Sequence, residues 1–302
     1  MSLTLSPIVA GAWRLADWAW TPAQRLAWIE ANLELGISSF DHADIYGQYR
    51  VETLFGQALA LAPRLRQRLQ LISKCGIRLA PTLASGSASA SASASNAPHA
   101  INHYDTSAAH VRASVERSLT ALGTDHLDLL LIHRPDALLD ADELAATFEG
   151  LRASGKVLHF GVSNFTPAQL ALLQQRIPLA TNQIELSPLH LEPLHDGTLD
   201  QCQSLGLRPM IWSPLAGGRI FTSGDPAAVR VRETLAQLGH ELGVSAVTLL
   251  MAWALRHPSR PHPIIGTRRI EVSREAVAAL SLKLDAQQWY RLWQAGAGHP
   301  VR

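Results

Sequence analysis

Short apolar runs alternate with helix-period segments along the whole chain. Runs of strand type fall near 6–12, 37–41, 69–74, 127–133, 158–162, 180–184, 208–212 and 263–265. Between them apolar residues recur at helical spacing, as in Leu26, Ile29 and Leu33, in Val111, Val115 and Leu119, and in Leu144, Phe148 and Leu151. Helix starts are marked chemically. Thr21-Pro22 and Thr166-Pro167 each place a capping hydroxyl before a proline at the first helical position. Asp140 with Glu143, and Asp285 with Gln288, have the spacing of a capping box, and Gly155 reads as a helix stop. Eight strands alternating with helices, with no break in composition, predict an α/β fold: one domain over 1–302, closed as a (β/α)8 TIM barrel with its active face at the carboxyl ends of the strands. A doubly wound sheet is the rival, but no G-x-G-x-x-G follows a strand and no P-loop is present.

One segment departs from the pattern. Residues 85–96 are almost purely alternating Ser and Ala, a period of two with no β-branched or aromatic side chain to pack. Burial cannot offset its ordering entropy, so a mobile loop is expected there, inserted after the third strand. That position is on the catalytic side of a barrel, where the loop is either a lid or an idle insertion.

Composition narrows the class. With 47% hydrophobic and 17% charged residues, the chain can bury a large core. The 26 Lys+Arg nearly balance 25 Asp+Glu, and no basic arm exists, which argues against a nucleic-acid partner. Two cysteines suit a reducing compartment, and Cys75 reads as a buried thiol despite its neighbour Lys74. Met1-Ser2-Leu3-Thr4-Leu5 lacks a signal-peptide pattern, and no stretch of 18 apolar residues exists. A soluble cytoplasmic protein, without membrane attachment, is expected, as a monomer or weak homo-oligomer.

Four polar residues stand at the ends of predicted strands, where packing does not explain them. Asp41 follows Ile37-Ser38-Ser39-Phe40, with Tyr46 five positions on. Lys74 ends Leu69-Gln70-Leu71-Ile72-Ser73, and His133 ends Leu129-Leu130-Leu131-Ile132. Tyrosine is a weak acid, with an ordinary pKa near 10. An ammonium about 4 Å away contributes roughly 4 kcal/mol at an effective dielectric of about 20. Lys74 beside Tyr46 is therefore expected to bring the phenol towards neutrality, making it a usable general acid. Asp41 would keep Lys74 charged, and His133 would donate a second hydrogen bond to a carbonyl oxygen as charge develops. The set suits carbonyl reduction by hydride, and since side chains carry no hydride, a nicotinamide cofactor is implied. The alternative on the same residues is a lyase using Lys74 as a Schiff-base nucleophile.

The ordered segments carry a resemblance. Phe40-Asp41-His42-Ala43-Asp44-Ile45-Tyr46-Gly47 with Glu52, Ser73-Lys74, Ile132-His133-Arg134-Pro135, Gly161-Val162-Ser163-Asn164-Phe165, Asn182-Gln183-Ile184-Glu185 and Trp212-Ser213-Pro214-Leu215 resemble aldo-keto reductases. The match runs in order from Gly11-Ala12-Trp13 to Ile265-Gly266-Thr267-Arg268-Arg269. The resemblance implies a bacterial NADPH-dependent oxidoreductase acting on aldehydes or ketones, with Asp41, Tyr46, Lys74 and His133 as catalytic tetrad. Ser163, Asn164 and Gln183 would hold the nicotinamide carboxamide. Trp212 stands where the family usually stacks a tyrosine on the nicotinamide, and an indole offers the same flat face. Ser213, Leu215 and Gly217 resemble the loop over the pyrophosphate. Gly266 replaces a lysine common in relatives, and Val272 falls at the simplest alignment of a family arginine. Thr267, Arg268, Arg269 and Arg274 are expected to meet the 2′-phosphate instead. Some channel-associated relatives use bound cofactor for regulation, which leaves a cofactor-binding regulatory subunit as another alternative.

Substrate residues are read from the first connection. Trp13 and Trp18 are expected to line the substrate end and favour an apolar or aromatic carbonyl compound, while Trp20 anchors the loop. His42, His99, His103 and His110 form no recognisable metal set with carboxylates, so no metal is expected.

Overall fold

A computed structural model of the chain describes residues 3–80 and 101–302. The Ser/Ala tract lies outside the described residues. Ten strands occur among the described residues: β1 (Val9–Gly11), β2 (Ser39–Asp41), β3 (Gln70–Cys75), β4 (Ile77–Arg78), β5 (His103–Tyr104), β6 (Leu127–Ile132), β7 (Val157–Ser163), β8 (Asn182–Glu185), β9 (Met210–Trp212) and β10 (His262–Ile265). Eight of them close a parallel barrel in the order β1, β2, β3, β6, β7, β8, β9, β10. These are the eight expected strands. The sequence pattern gave no sign of β4 and β5, which pair antiparallel on the connection after β3.

Closure separates two apolar populations. Phe40, Leu71, Leu130, Ile132, Ile184 and Ile211 face outward and pack against the helices. Val9, Ile72, Leu129, Leu131, Met210 and Ile264 face inward, with Leu5. Strand side chains alternate with period two, so the inward row of each strand can be followed to its carboxyl end. Two residues beyond Ile72 is Lys74, beyond Leu131 is His133, and beyond Met210 is Trp212. The barrel interior thus changes from aliphatic to polar along its axis, at the end where parallel strands all stop.

The helix starts follow the capping chemistry closely. Thr21–Gln24, Thr166–Gln169 and Asp285–Gln288 form complete capping boxes. Asp140 caps its helix through the amides of Asp142 and Glu143, but the expected box does not close. The Glu143 carboxylate instead accepts from the backbone N–H of Ala108 at 3.1 Å, on a neighbouring helix start. No single helix among the described residues is long and apolar enough to cross a membrane.

Behind the ends of β2 and β3 lies a buried acidic pair. Glu52 accepts from Ser73 Oγ at 2.6 Å and Ser118 Oγ at 3.0 Å, and burial pushes its carboxyl above the ordinary range. Neither oxygen of Asp44 makes a hydrogen bond of good geometry, the Ile45 N–H and Ser114 hydroxyl being its nearest polar neighbours. Burial, reinforced by the Glu52 charge and opposed by Arg117, pushes the Asp44 carboxyl from 3.8 up to about 8. The same burial holds the Cys75 thiol well above 9.0, as expected of an inert thiol.

A folded-state pKa above the unfolded value means that folding takes up a proton at Asp44, so stability declines as pH rises towards about 8. Below pH 6.5 this trend is opposed by the buried His42, His110 and His262, whose values are lowered to about 3, 4 and 4. Between pH 7 and 8 the acid acts without that opposition. The unfolding free energy from urea titrations should fall there by about 1 kcal/mol per pH unit, and Asp44→Asn should flatten the decline. Parallel declines for both proteins would rule out Asp44 as the source.

Candidate active site

The four sequence-predicted catalytic side chains converge at the carboxyl rim. Asp41 ends β2, Lys74 lies one residue from the end of β3, His133 follows β6, and Tyr46 sits in the turn after β2. Lys74 Nζ has three protons and three acceptors: Asp41 Oδ2 at 2.7 Å, the His42 carbonyl at 2.7 Å and Tyr46 Oη at 3.2 Å. The other carboxylate oxygen, Asp41 Oδ1, accepts from Gln183 Nε2 at 2.8 Å. The His133 ring meets the Tyr46 ring edge-on with centroids 5.8 Å apart.

Burial sets the protonation states. It lowers the Lys74 ammonium, but the Asp41 carboxylate and Tyr46 outweigh it and hold the group above 10.5, fully charged. Burial likewise raises the Tyr46 phenol, and the downward pull of Lys74 does not overcome it. Lys74 pulls the phenol down as expected, but burial outweighs it, so the net shift runs opposite to the expected one. Sequence supplies the neighbouring charge but not the desolvation that opposes it. His133 is held well below 6.5 by burial, with Lys74 and Arg134 adding to the effect, so it is a neutral imidazole. Its Nδ1 is buried without a partner. A charged lysine engaged by three acceptors is a poor amine nucleophile, which disfavours the lyase alternative.

A cavity of about 880 Å3 runs from this cluster across the mouth of the barrel. Ser163, Asn164, Gln183, Trp212, Ser213, Leu215, Gly217, Thr267 and Arg269 all line it. Trp212 donates from Nε1 to Asn164 Oδ1 at 3.0 Å, and Asn164 Nδ2 donates to Ser163 Oγ at 2.7 Å. Ser163 Oγ then donates to the Gln183 carbonyl at 3.0 Å. Asn164 takes a left-handed φ of 61°, a conformation its short amide tolerates better than most side chains. Ser213, Ala216, Gly217 and Gly218 also have positive φ, giving a tightly folded loop after β9. Arg14 Nη2 reaches across from the loop after β1 to the Gly217 carbonyl at 3.2 Å, spanning the cavity.

Several sequence-predicted residues fall elsewhere. Arg268 lines a separate groove with Trp20, Gln24 and Trp28, whereas Arg269, the N-cap residue of the helix Ile270–Ala278, borders both that groove and the cavity. Arg274, one turn into that helix, lines another groove with Gly243 and Glu275. Neither shares the cavity of Thr267 and Arg269. Trp13 lines the cavity and is 59% exposed. Trp18 does not line it. Its indole packs against Trp20 at 4.8 Å and edge-on to Trp28 at 5.4 Å, so it anchors the loop instead. Arg14, Arg134, Glu185, Arg219, Phe221 and Val247 line the cavity without having been expected. Glu185, two residues beyond Gln183, was within reach of strand periodicity; the others depend on how the loops and helices beyond the strands fold. No cluster of three metal-ligating side chains occurs among the described residues.

Comparison with known proteins agrees with the barrel fold. Residues 7–296 match the model of the aldo/keto reductase family. The chain is 50% identical over 299 residues to the oxidoreductase YdhF of Escherichia coli, covering 98% of this chain and 95% of that protein. It is 43% identical to a 6-dehydroglucose reductase of Agrobacterium fabrum, covering 99% and 97%. Among solved structures, the glycerol dehydrogenase of Gluconobacter oxydans superposes with a TM-score of 0.80 at 23% identity, over 99% of this chain and 94% of that one, a likeness of fold. The chain belongs to the aldo/keto reductase family and is an oxidoreductase built on a closed (β/α)8 barrel.

Proposed function

We propose that the protein is a cytoplasmic reductase that converts aldehydes or ketones to alcohols with NADPH, and that Tyr46 delivers the proton. The carrying observation is a neutral phenol in the cavity, 3.2 Å from a buried ammonium. A raised phenol keeps its proton at neutral pH, as a donor must. When Oη gives that proton to a carbonyl oxygen, the phenolate forms beside Lys74, whose charge is fixed by Asp41. Stabilisation is thus greatest after transfer, which is where it lowers the barrier. His133, as neutral imidazole with Nε2–H, would donate a second hydrogen bond to the same oxygen. Two relatives called 6-dehydroglucose reductases support a carbonyl carried on a hydroxylated chain.

The cavity suits a dinucleotide. At Gly217 and Gly218 nothing stands within 4 Å of where a Cβ would be, leaving open room beside the loop backbone. Ser163, Asn164 and Gln183 offer amide and hydroxyl partners to a carboxamide, and Trp212 offers a flat wall. Thr267, Arg269 and Arg219 lie with Val247, Val272 and Phe221, which combines phosphate ligands with apolar walls for a base. Bound there, a reduced nicotinamide would supply the hydride.

Tyr46→Phe should remove most of kcat, about 10²–10⁴-fold, while NADPH affinity measured by fluorescence changes little. Because the donor form is the protonated one and burial raises its pKa, reduction should persist through pH 9, its alkaline loss lying above the ordinary phenol value of 10.0. Lys74→Met should lower kcat and move that limb further up, since the downward pull on the phenol is gone. Wild-type turnover by Tyr46→Phe, or a limb near neutrality, would contradict the assignment.

Cofactor preference is assigned to Arg269. A charge-assisted hydrogen bond is worth about 1.5–3 kcal/mol, so Arg269→Ala should weaken NADPH binding roughly 10–100-fold and leave NADH binding unchanged. Arg268→Ala and Arg274→Ala should alter neither Kd appreciably. Equal loss for both cofactors, or a larger effect at Arg268, would reject this reading.

A further inference from the structure

Arg134 follows His133 at the rim and lines the cavity at its catalytic end. Its guanidinium carbon lies 5.5 Å from the centre of the Trp212 ring. Among the described residues it forms no ion pair and no hydrogen bond. The other cations near this end are engaged: Lys74 by Asp41, and Arg14 by the Gly217 carbonyl. Arg134 depresses the values of both Tyr46 and His133, which puts its charge close to the two groups expected to meet a carbonyl oxygen. A guanidinium resting by an aromatic ring is preorganised, and its outward N–H groups form a fork for oxygen acceptors.

Glu185 supplies the complementary group. Strand alternation places it inward with Gln183, and its Cα pairs in register with that of Trp212. It also lines the cavity without a hydrogen-bond or ion-pair partner. An unpaired donor and an unpaired anionic acceptor thus both adjoin Trp212. A carboxylate on the substrate would suit Arg134 but be repelled by Glu185. A hydroxyl can accept from the first and donate to the second.

We propose that Arg134, with Glu185, is a specificity-determining residue that selects carbonyl substrates hydroxylated beside the reacting carbon. This rests on the reductase reading and differs from the expectation, drawn from the tryptophans, of an apolar substrate. The apolar Trp13, Ile45 and Ile77 then form a wall for the carbon chain.

The test uses matched aldehydes with NADPH: glyceraldehyde against propanal, and succinic semialdehyde against butanal. The wild-type protein should favour glyceraldehyde in kcat/KM by about tenfold or more. Arg134→Met should reduce that ratio about tenfold, chiefly through KM for glyceraldehyde, and Arg134→Lys should retain part of it. Glu185→Gln should shift preference towards succinic semialdehyde. An unchanged glyceraldehyde-to-propanal ratio in Arg134→Met, with turnover intact, overturns this inference alone. So does an Arg134-dependent preference confined to succinic semialdehyde. Absence of NADPH-dependent turnover with all four aldehydes overturns the reductase reading and this inference with it.

Discussion

The Lys74–Asp41 ion pair is the constraint around which the catalytic end is built. Its side chains are 1% and 4% exposed, and the charged atoms are 2.7 Å apart. Such a pair is a poor source of stability, because removing two charges from water costs several kcal/mol per ion and their attraction only offsets that. What the pair provides is a charge at a fixed point in a low-dielectric setting. The barrel fixes that point. Ile72 and Lys74 share the inward face of β3, and β2 is the neighbouring strand, so the ammonium must meet the carboxylate at the end of β2. Breaking either half would strand the other, a loss that no rim loop is placed to repair.

From that pair a hydrogen-bonded chain extends to the far wall of the cavity. Gln183 links Asp41 to β8, its carbonyl accepts from Ser163, Ser163 accepts from Asn164, and Asn164 accepts from Trp212. The Asp41–Gln183 link crosses the barrel from β2 to β8, Ser163 and Gln183 join the adjacent β7 and β8, and Trp212 on β9 reaches Asn164 just beyond β7. The position of the aromatic wall is therefore mechanically coupled to the position of the ammonium. This is why the left-handed φ of Asn164 is tolerated: its amide uses both ends of its polar group.

Much of this was legible in the sequence, for a definable reason. Strands such as 127–133 are continuous apolar runs because both faces are buried, and a polar residue ending such a run stands out. Asp41, Lys74 and His133 were visible on that ground, and the resemblance added the order of the motifs. What failed was anything set by burial or by the direction of a loop. The Tyr46 shift has the opposite sign because desolvation is invisible in a chain of letters. Arg268 and Arg269 are equivalent on paper, yet at the helix start only Arg269 borders the cavity as well as the neighbouring groove. Trp18 was placed on the active face by position, but its indole found other tryptophans. Glu143 closed onto Ala108 rather than its own helix cap because a second helix start lay within reach.

The distribution of cations in the cavity follows from the same economy of partners. Arg14 and Arg219 donate to the carbonyls of Gly217 and Ala216, in a loop whose positive φ values turn its backbone sharply. Their charge is used to hold protein to protein. Lys74 is held by Asp41. Among the described residues, that leaves the side chains of Arg134 and Arg269 lining the cavity without an anionic or carbonyl partner, one beside Trp212 and the other beside Thr267. Arg134 is half-buried, so its unpartnered guanidinium is costly unless a ligand completes it, whereas Arg269 is exposed and water serves it. The unpaired cation beside Trp212 is therefore the one whose energy depends most on what enters the cavity.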